Sequence, residues 1–384
     1  MAQSLHLDII AEVLRQDVLC DVDLAQCCLV SRAVLPLAQR QLYRTLRLRF
    51  LGGMHEDDGT LIRGLDWASL EKAEAVFEDP RRADMVRRVE IDFETLPGKT
   101  SVGWHEPATI FGGVLEECHN VEEISAAWMD WPAELAGVIL KYRPRLRVIE
   151  NIKFCAGVWD MLAEQPDLRR LTYSRGIHDF TEQDVLPTPS GILLPFALRH
   201  LTLNRRHGGP ARSVVDPIFR ASYHSLRSLE FVFDHVLIPD FAPFVSLEFL
   251  HFEVSLLTEV SLLTGDKGRP RMSGRELFPH ILTVLATCRN LPLRTLAISN
   301  NFDRLPFAPL LTDPSFPTSL PASLKRLELA SSFTVAELEA FFSRPCAAEL
   351  VQFGHNRDHA SGPEVDEWLA QRGVEAVSAR LRLY

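Results

Sequence analysis

Leu198-Arg-His-Leu-Thr-Leu203 decides how the chain is read, because the sequence keeps returning to it. Leu168–Tyr173 reads Leu-Arg-Arg-Leu-Thr-Tyr, Leu226–Phe231 reads Leu-Arg-Ser-Leu-Glu-Phe, and Leu247–Phe252 reads Leu-Glu-Phe-Leu-His-Phe. Leu293–Ile298 and Leu324–Leu329 repeat the theme as Leu-Arg-Thr-Leu-Ala-Ile and Leu-Lys-Arg-Leu-Glu-Leu. Weaker copies stand at Val86–Ile91, Val121–Ala126 and Leu146–Asn151. All of these units but Leu146–Asn151, which ends in asparagine, keep apolar residues at their first, fourth and sixth places. Side chains alternate along a strand, so the fourth and sixth places share one side. A single strand of this kind cannot bury its apolar row, whereas stacking each copy on the next builds a continuous core.

Between the strands the chain changes rhythm. Pro107–Cys118, Pro132–Tyr142, Ala156–Gln165, Val214–His224, Gly274–Cys288, Thr334–Ser343 and Pro363–Arg372 read as helices, and Trp67–Glu78 as an earlier one. Further strands are expected near Glu349–Phe353 and Val374–Leu383. This alternation, with apolar residues at places one, four and six, resembles the leucine-rich repeat. The fold expected is α/β, an irregular leucine-rich-repeat solenoid over residues 51–384, a horseshoe with parallel strands on its concave side and helices outside. The repeats diverge mainly in their outer segments. Thr264–Arg271 is expected as an exposed insertion, residues 51–64 as a loop or linker, and Asn301 as the clear remnant of the repeat's usual asparagine, with Asn356 a second in one of two possible registers.

Residues 1–50 are of a different kind. Leu5, Ile9, Ile10, Val13 and Leu14 follow helical spacing; Asp23 can cap a second helix carrying Leu24, Cys27, Cys28 and Val30. A third apolar-rich piece runs from Ser31 towards Leu46. Three short helices make too small a core to stand comfortably alone, so they would lean on the repeats or on a partner. The order Leu5-His6, Ile9-Ile10, Val13-Leu14, Asp23-Leu24 and Leu29-Val30-Ser31-Arg32, followed by Leu42-Tyr43-Arg44-Thr45-Leu46, resembles an F-box of fungal type. It departs from that pattern at His6, where proline is usual, and at Val34, where tryptophan is usual. The other reading is a helical cap over the open end of the solenoid.

Composition narrows the function classes. The chain has 384 residues and a formal net charge of -10, which argues against a general nucleic-acid-binding surface. No uninterrupted apolar run is long enough to span a bilayer, and no membrane partner is expected. Seven cysteines without recurring spacing point to free thiols in a reducing compartment, cytoplasmic or nuclear.

A scan for chemistry finds little. Pro97-Gly98-Lys99-Thr100 has the end of a phosphate-binding loop, yet Phe93 stands where the first glycine is required. His355 and His359 lie at helical spacing with Cys346 upstream, too few ligands for zinc. No nucleophile elbow, zincin pair or dinucleotide turn occurs. The expectation is a non-enzyme without cofactor or metal.

The strands carry a more informative pattern. Places two and three hold Arg87, Arg88, Arg147, Arg169, Arg170, Arg199, Arg227, Arg294, Lys325 and Arg326, and place five holds Glu90, Glu150, Glu230 and Glu328. Guanidinium groups grip carboxylate or phosphate through paired hydrogen bonds. Arg147, Arg169, Arg170, Arg199, Arg227, Arg294 and Arg326, with Phe249 and His251 interrupting the rail, are therefore the expected target-binding residues. The alternative is a solvated face on which arginine and glutamate pair with each other. What the F-box resemblance implies is a substrate receptor of an SCF-type cullin–RING ubiquitin ligase. Leu5, Ile9, Ile10, Val13, Leu14, Leu24 and Val30 would meet the Skp-family adaptor, and the repeats would hold an unidentified protein target.

Overall fold

The computed structural model describes residues 2–15, 19–55, 61–94, 105–127, 133–152, 157–175, 192–205, 212–233, 240–254, 274–300, 307–357 and 362–379. Pro97–Thr100, Thr264–Arg271, Asn301, His359 and the C-terminal Arg380–Tyr384 lie outside these residues, as does the side chain of Leu5. The chain divides into two compact units, Met1–Leu168 and Arg169–Tyr384.

The first unit begins with helices α1 (Ala2–Arg15), α2 (Asp21–Val30) and α3 (Leu35–Leu42). There follow β1 (Thr45–His55), β2 (Leu61–Leu65), α4 (Trp67–Phe77), α5 (Pro80–Ala83), β3 (Arg88–Glu94), α6 (His105–Glu117), β4 (Glu123–Ala127), α7 (Ala133–Tyr142), β5 (Val148–Ile152) and α8 (Val158–Ala163). Its strands lie in the order β5-β4-β3-β1-β2. All pair in parallel except β2, which runs antiparallel along the far side of β1.

The second unit contains β6 (Arg170–Arg175), β7 (His200–Arg205), α9 (Arg212–Ser222), β8 (Ser228–Phe233), β9 (Phe249–Val254), α10 (Gly274–Cys288), β10 (Thr295–Asn300), α11 (Ala308–Thr312) and α12 (Ser315–Ser319). It continues with β11 (Arg326–Leu329), α13 (Val335–Phe342), β12 (Gln352–His355), α14 (Gly362–Gln371) and β13 (Glu375–Ser378). Strands β6 to β13 stack in sequence order, all parallel. The fold is the α/β leucine-rich-repeat solenoid that the repeated hexad implies.

Register explains why the hexad recurs. Leu171 lies opposite Leu201, Leu201 opposite Leu229, Leu229 opposite Leu250, Leu250 opposite Leu296, and Leu296 opposite Leu327. All are fully buried, as are the first-place leucines at 168, 198, 226, 247 and 293. Each such side chain is worth roughly 1.5–3 kcal/mol of burial. The second-place residue does a different job. The carbonyl of Arg199 accepts hydrogen bonds from the amides of both Arg227 and Ser228, at 2.9 and 3.0 Å. Arg227 accepts likewise from Glu248 and Phe249, Glu248 from Arg294 and Thr295, and Arg294 from Lys325 and Arg326. The same doubly accepting carbonyl joins Arg44 to Arg87 and Arg88 in the first unit. A turn-to-strand backbone that would otherwise leave amides unpaired is thereby satisfied without any side chain.

Three expectations need correction. Residues 51–55 and 61–64 are not loop but the end of β1 and most of β2. Leu46, Leu48 and Phe50 are buried, and β1 is a further repeat strand in register with β3, Leu46 opposite Val89 and Leu48 opposite Ile91. The strand replaces the end of the third helix expected towards Leu46. Its alternation of apolar and polar residues is plain, but it sits within the stretch that looks like the tail of the helical unit. Second, Asp23 does not occupy the N-cap of α2. It sits one turn inside and accepts from the backbone amide of Cys20 at 3.0 Å, so the helix begins at Asp21. A hydrogen bond from the Cys20 side chain, and then that backbone bond, hold the Asp23 carboxyl below its ordinary value. Third, the copy ending at Asn151 carries one extra residue. Asn151 takes a left-handed φ of 60°, and the buried sixth place passes to Ile152. Asparagine tolerates that conformation better than most residues.

Candidate functional site

The three N-terminal helices enclose a small core of Leu14, Leu24, Val34 and Ala38, against which Ile10, Leu19, Cys27, Cys28, Leu37 and Leu42 pack partly buried. Both α1 and α2 then carry a second apolar stripe that faces outward. On α1, Ile10 and Leu14 form the inner stripe and Ile9 and Val13, one place earlier in each pair, form the exposed one. On α2, Leu24, Cys27 and Cys28 face in, while Val22 and Leu29, seven places apart, face out beside Val30. Leu29 is 86% exposed and Val30 72%. Several large apolar side chains left in water on so small a unit are a mark of a partner surface.

This arrangement sorts the expected adaptor-binding residues. Ile9, Val13 and Val30 are accessible. Leu14 and Leu24, at 3% and 4% exposure, are core residues that no partner can touch without unfolding the unit, and Ile10 is half-buried beside them. Val22 and Leu29 belong to the exposed set and were not singled out from the sequence, although the 3.6-residue period assigns them to that face. An ion pair from Lys72 of α4 to Asp21 of α2, 2.7 Å long, ties the helical unit to the first repeats.

The strand face sorts in a similar way. Places three and five lie opposite the apolar fourth and sixth places, and arginine and glutamate there pair with each other. Arg88 reaches Glu90 at 2.8 Å, Glu123 at 3.2 Å and Glu150 at 2.8 Å, and Arg47 adds a second cation to Glu90 at 2.9 Å. Partial burial works against the Arg88 charge, but Glu150 and Glu90 more than restore it and its pKa is raised. In the second unit Arg326 holds the buried Glu328 at 2.7 Å and donates to Gln352 at 3.0 Å. Gly354 makes room for that carboxylate, since a Cβ at this position would stand 2.7 Å from Glu328 Cγ. Arg326 is thus engaged internally.

His251 is likewise no exposed anchor. It is buried, with Nε2 2.9 Å from Ser299 Oγ and Nδ1 3.6 Å from Glu230 Oε2. Acid, imidazole and hydroxyl stand in line, but the hydroxyl is itself buried within a regular parallel strand pair. The trio fits a polar tie across β8, β9 and β10. Phe249 beside it is half-buried.

The second-place arginines are more open. Arg147 is bridged to Glu122 at 3.3 Å, and Arg169 donates to the Ala197 carbonyl at 3.3 Å. Arg199, Arg227 and Arg294 are exposed and have no side-chain hydrogen bond or ion pair among the described residues. Their field is felt nearby: burial first, then Arg170, Arg199 and Arg227, push the pKa of His200 below its ordinary value. Of the expected target-binding set, Arg199, Arg227 and Arg294 keep an accessible charge, whereas Arg326 and His251 do not.

Among the described residues no group of three or more His, Cys, Asp or Glu side chains could hold a metal ion. His355 is buried and bonded to Asp366 at 2.7 Å. No described helix is long and apolar enough to cross a membrane.

Compared with known proteins, the chain matches no family model and no curated protein. Among solved structures it is similar to a protein from Bacteroides fragilis, at 11% identity and a TM-score of 0.35, covering 82% of this chain and 72% of that one. It is also similar to TLR13 in a TLR13–ssRNA13 complex, at 13% identity and a TM-score of 0.32, covering 72% of this chain and 37% of that one. Likenesses this weak bear on neither fold nor function, which rest on strand order, register and side-chain placement.

Proposed function

We propose that this chain is a non-enzymatic docking protein, the substrate-recognition subunit of an SCF-type cullin–RING ubiquitin ligase. Its N-terminal helices meet a Skp-family adaptor through Ile9, Val13, Val22, Leu29 and Val30, and its repeats hold a protein target. The observation that carries this reading is the second, outward apolar stripe on α1 and α2. A cap needs only the inner stripe, facing the repeats and its own core. The work of such a receptor is proximity: it raises the effective concentration of a bound target near a charged conjugating enzyme and breaks no bond itself.

Co-purification with a Skp-family adaptor, read by size exclusion, tests this. The native chain is expected to form a one-to-one complex. The double variant Ile9→Asp, Val30→Asp should lose it while keeping its native melting curve, because both side chains already face water. Undiminished binding in that variant, or no complex with the native chain at micromolar concentration, rejects the adaptor role. The second reading, a repeat scaffold with a helical cap, is favoured by the Lys72–Asp21 ion pair, which binds the helices to the first repeats.

A further inference from the structure

Where the helical unit meets the first repeats, the structure leaves a cavity of about 320 Å³. Leu14 and Met85 give it an apolar floor, and Arg40, Arg44, Arg87 and Glu122 supply its charge. The three guanidinium groups come from unrelated places in the sequence. Arg40 lies in the last turn of α3, and Arg44 and Arg87 are second-place residues of successive repeats, one before β1 and one before β3. Neighbouring strands lie about 4.8 Å apart, so Arg44 and Arg87 are set side by side.

Almost nothing at the site neutralises them. Arg40 and Arg44 have no side-chain hydrogen bond or ion pair among the described residues. Arg87 donates to the Asn120 carbonyl at 3.2 Å, a neutral partner. Glu122 provides the cavity's carboxylate, and it already bridges Arg147 at 3.3 Å. A cation at a helix C-terminus would explain Arg40 alone, through the helix dipole. It does not explain why two further guanidinium groups converge on the same hollow. At places three and five of the strands arginine is met by glutamate, as Arg88 is. The second-place arginines Arg199, Arg227 and Arg294 also lack a carboxylate partner among the described residues, and what sets Arg40, Arg44 and Arg87 apart is the cavity they line. Here the counter-charge is missing and there is space for it.

We propose that this cavity binds a small polyanion, a molecule bearing two or more phosphate or carboxylate groups, through Arg40, Arg44 and Arg87. Guanidinium forks suit both groups, and the volume lies at the lower end of the range for small-molecule sites. The ligand joins α1 and α3 to the edge of the first two repeat strands, and so fixes the helical unit on the solenoid's first turns. The inference stands whether or not those helices bind an adaptor.

Titration calorimetry on the full chain tests it, with pyrophosphate in one arm, citrate in a second and sodium chloride at matched ionic strength as the blank. Saturable one-to-one binding is expected in at least one arm, with the tighter arm identifying phosphate or carboxylate as the group recognised. Arg44→Gln and Arg40→Gln should each weaken binding at least tenfold, Glu122→Gln should tighten it, and Arg289→Gln, an exposed arginine that does not line the cavity, should leave it unchanged. Hydrogen exchange in α1 and α3 should slow when the probe is bound. Absence of saturable binding in both arms at millimolar concentration overturns the proposal. So does affinity that is equal in the native chain and in folded Arg40→Gln and Arg44→Gln variants.

Discussion

At Gly354 a missing side chain on one strand permits a buried charge on the next. Glu328 is only 2% exposed, and it survives there because Arg326 neutralises it and Gly354 leaves the space it fills. Gly354→Ala would drive a methyl group into Glu328 at 2.7 Å from Cγ, with backbone Cα only 3.1 Å away. The neighbour has little freedom to move, so overpacking of about 1–3 kcal/mol is expected. Chemical denaturation should show a lower midpoint with an unchanged slope. The paired substitution Gly354→Ala with Glu328→Ala should cost less than the sum of the two single losses, because the Cγ contact at 2.7 Å is removed and the sites are coupled. None of this is visible in sequence, where Gly354 looks like one more loop glycine and Glu328 like a solvated acid. Which of many arginines holds a buried partner is also a three-dimensional fact. The alternation Arg-x-Glu puts Glu328 two places from Arg326 on the same strand, whereas two places from Arg199 stands the buried Leu201. What the sequence does not show is that Glu328 is buried, which depends on Gly354 of the adjacent strand.

Helices and strands were far more legible than contacts. The helix at Gly274–Cys288 has the expected bounds, and those around 107–118, 132–142, 334–343 and 363–372 fall within a few residues of expectation. Their apolar residues recur at helical spacing and their ends carry proline or a capping pair, as at Thr334 and Glu337. The strand β1 was missed, and the short helices α11 and α12 were not foreseen, because each is flanked by signals that belong to something else. In α1 and α2 the two apolar stripes were read as one set. Sequence order alone cannot say which stripe meets the core when both faces are apolar. The distinction has a consequence at this scale. Leu24→Ala empties part of a core in which four described residues are buried, and a loss of about 2–5 kcal/mol is typical of such a change. Hydrogen exchange in α1–α3 should accelerate sharply while β3 to β5 stay protected. Uniform acceleration through all of these elements would show that the helices are not a separable cooperative unit.

At the scale of the molecule, stability should have an alkaline limit written into buried thiols. Burial first, then Glu117 and Asp84, push the Cys118 thiol up to about 12, and burial does the same to Cys288. Against an ordinary value of 9.0, the folded chain keeps two protons that the unfolded chain releases. The stabilisation is therefore fully present below pH 9 and is lost as pH rises towards 12. Denaturation midpoints should fall across that window, and the double variant Cys118→Ala, Cys288→Ala should show a shallower fall. In the native chain both thiols should resist maleimide at pH 8, when the exposed Cys20 reacts.

The antiparallel strand β2 sets a rule for how such a chain can change in length. Within each unit every other described strand hands its neighbour a backbone running the same way, so an extra helix–strand copy can be spliced between two of them and find its hydrogen bonds waiting. Beyond β2 the direction is reversed. A duplicated unit arriving there in the direction of the other repeats would have to pair antiparallel with β2, a ladder of different spacing from the one its fellow strands share. At this end, growth by whole repeats therefore keeps an unbroken parallel ladder only inside the array, where both neighbours of a new strand run its way.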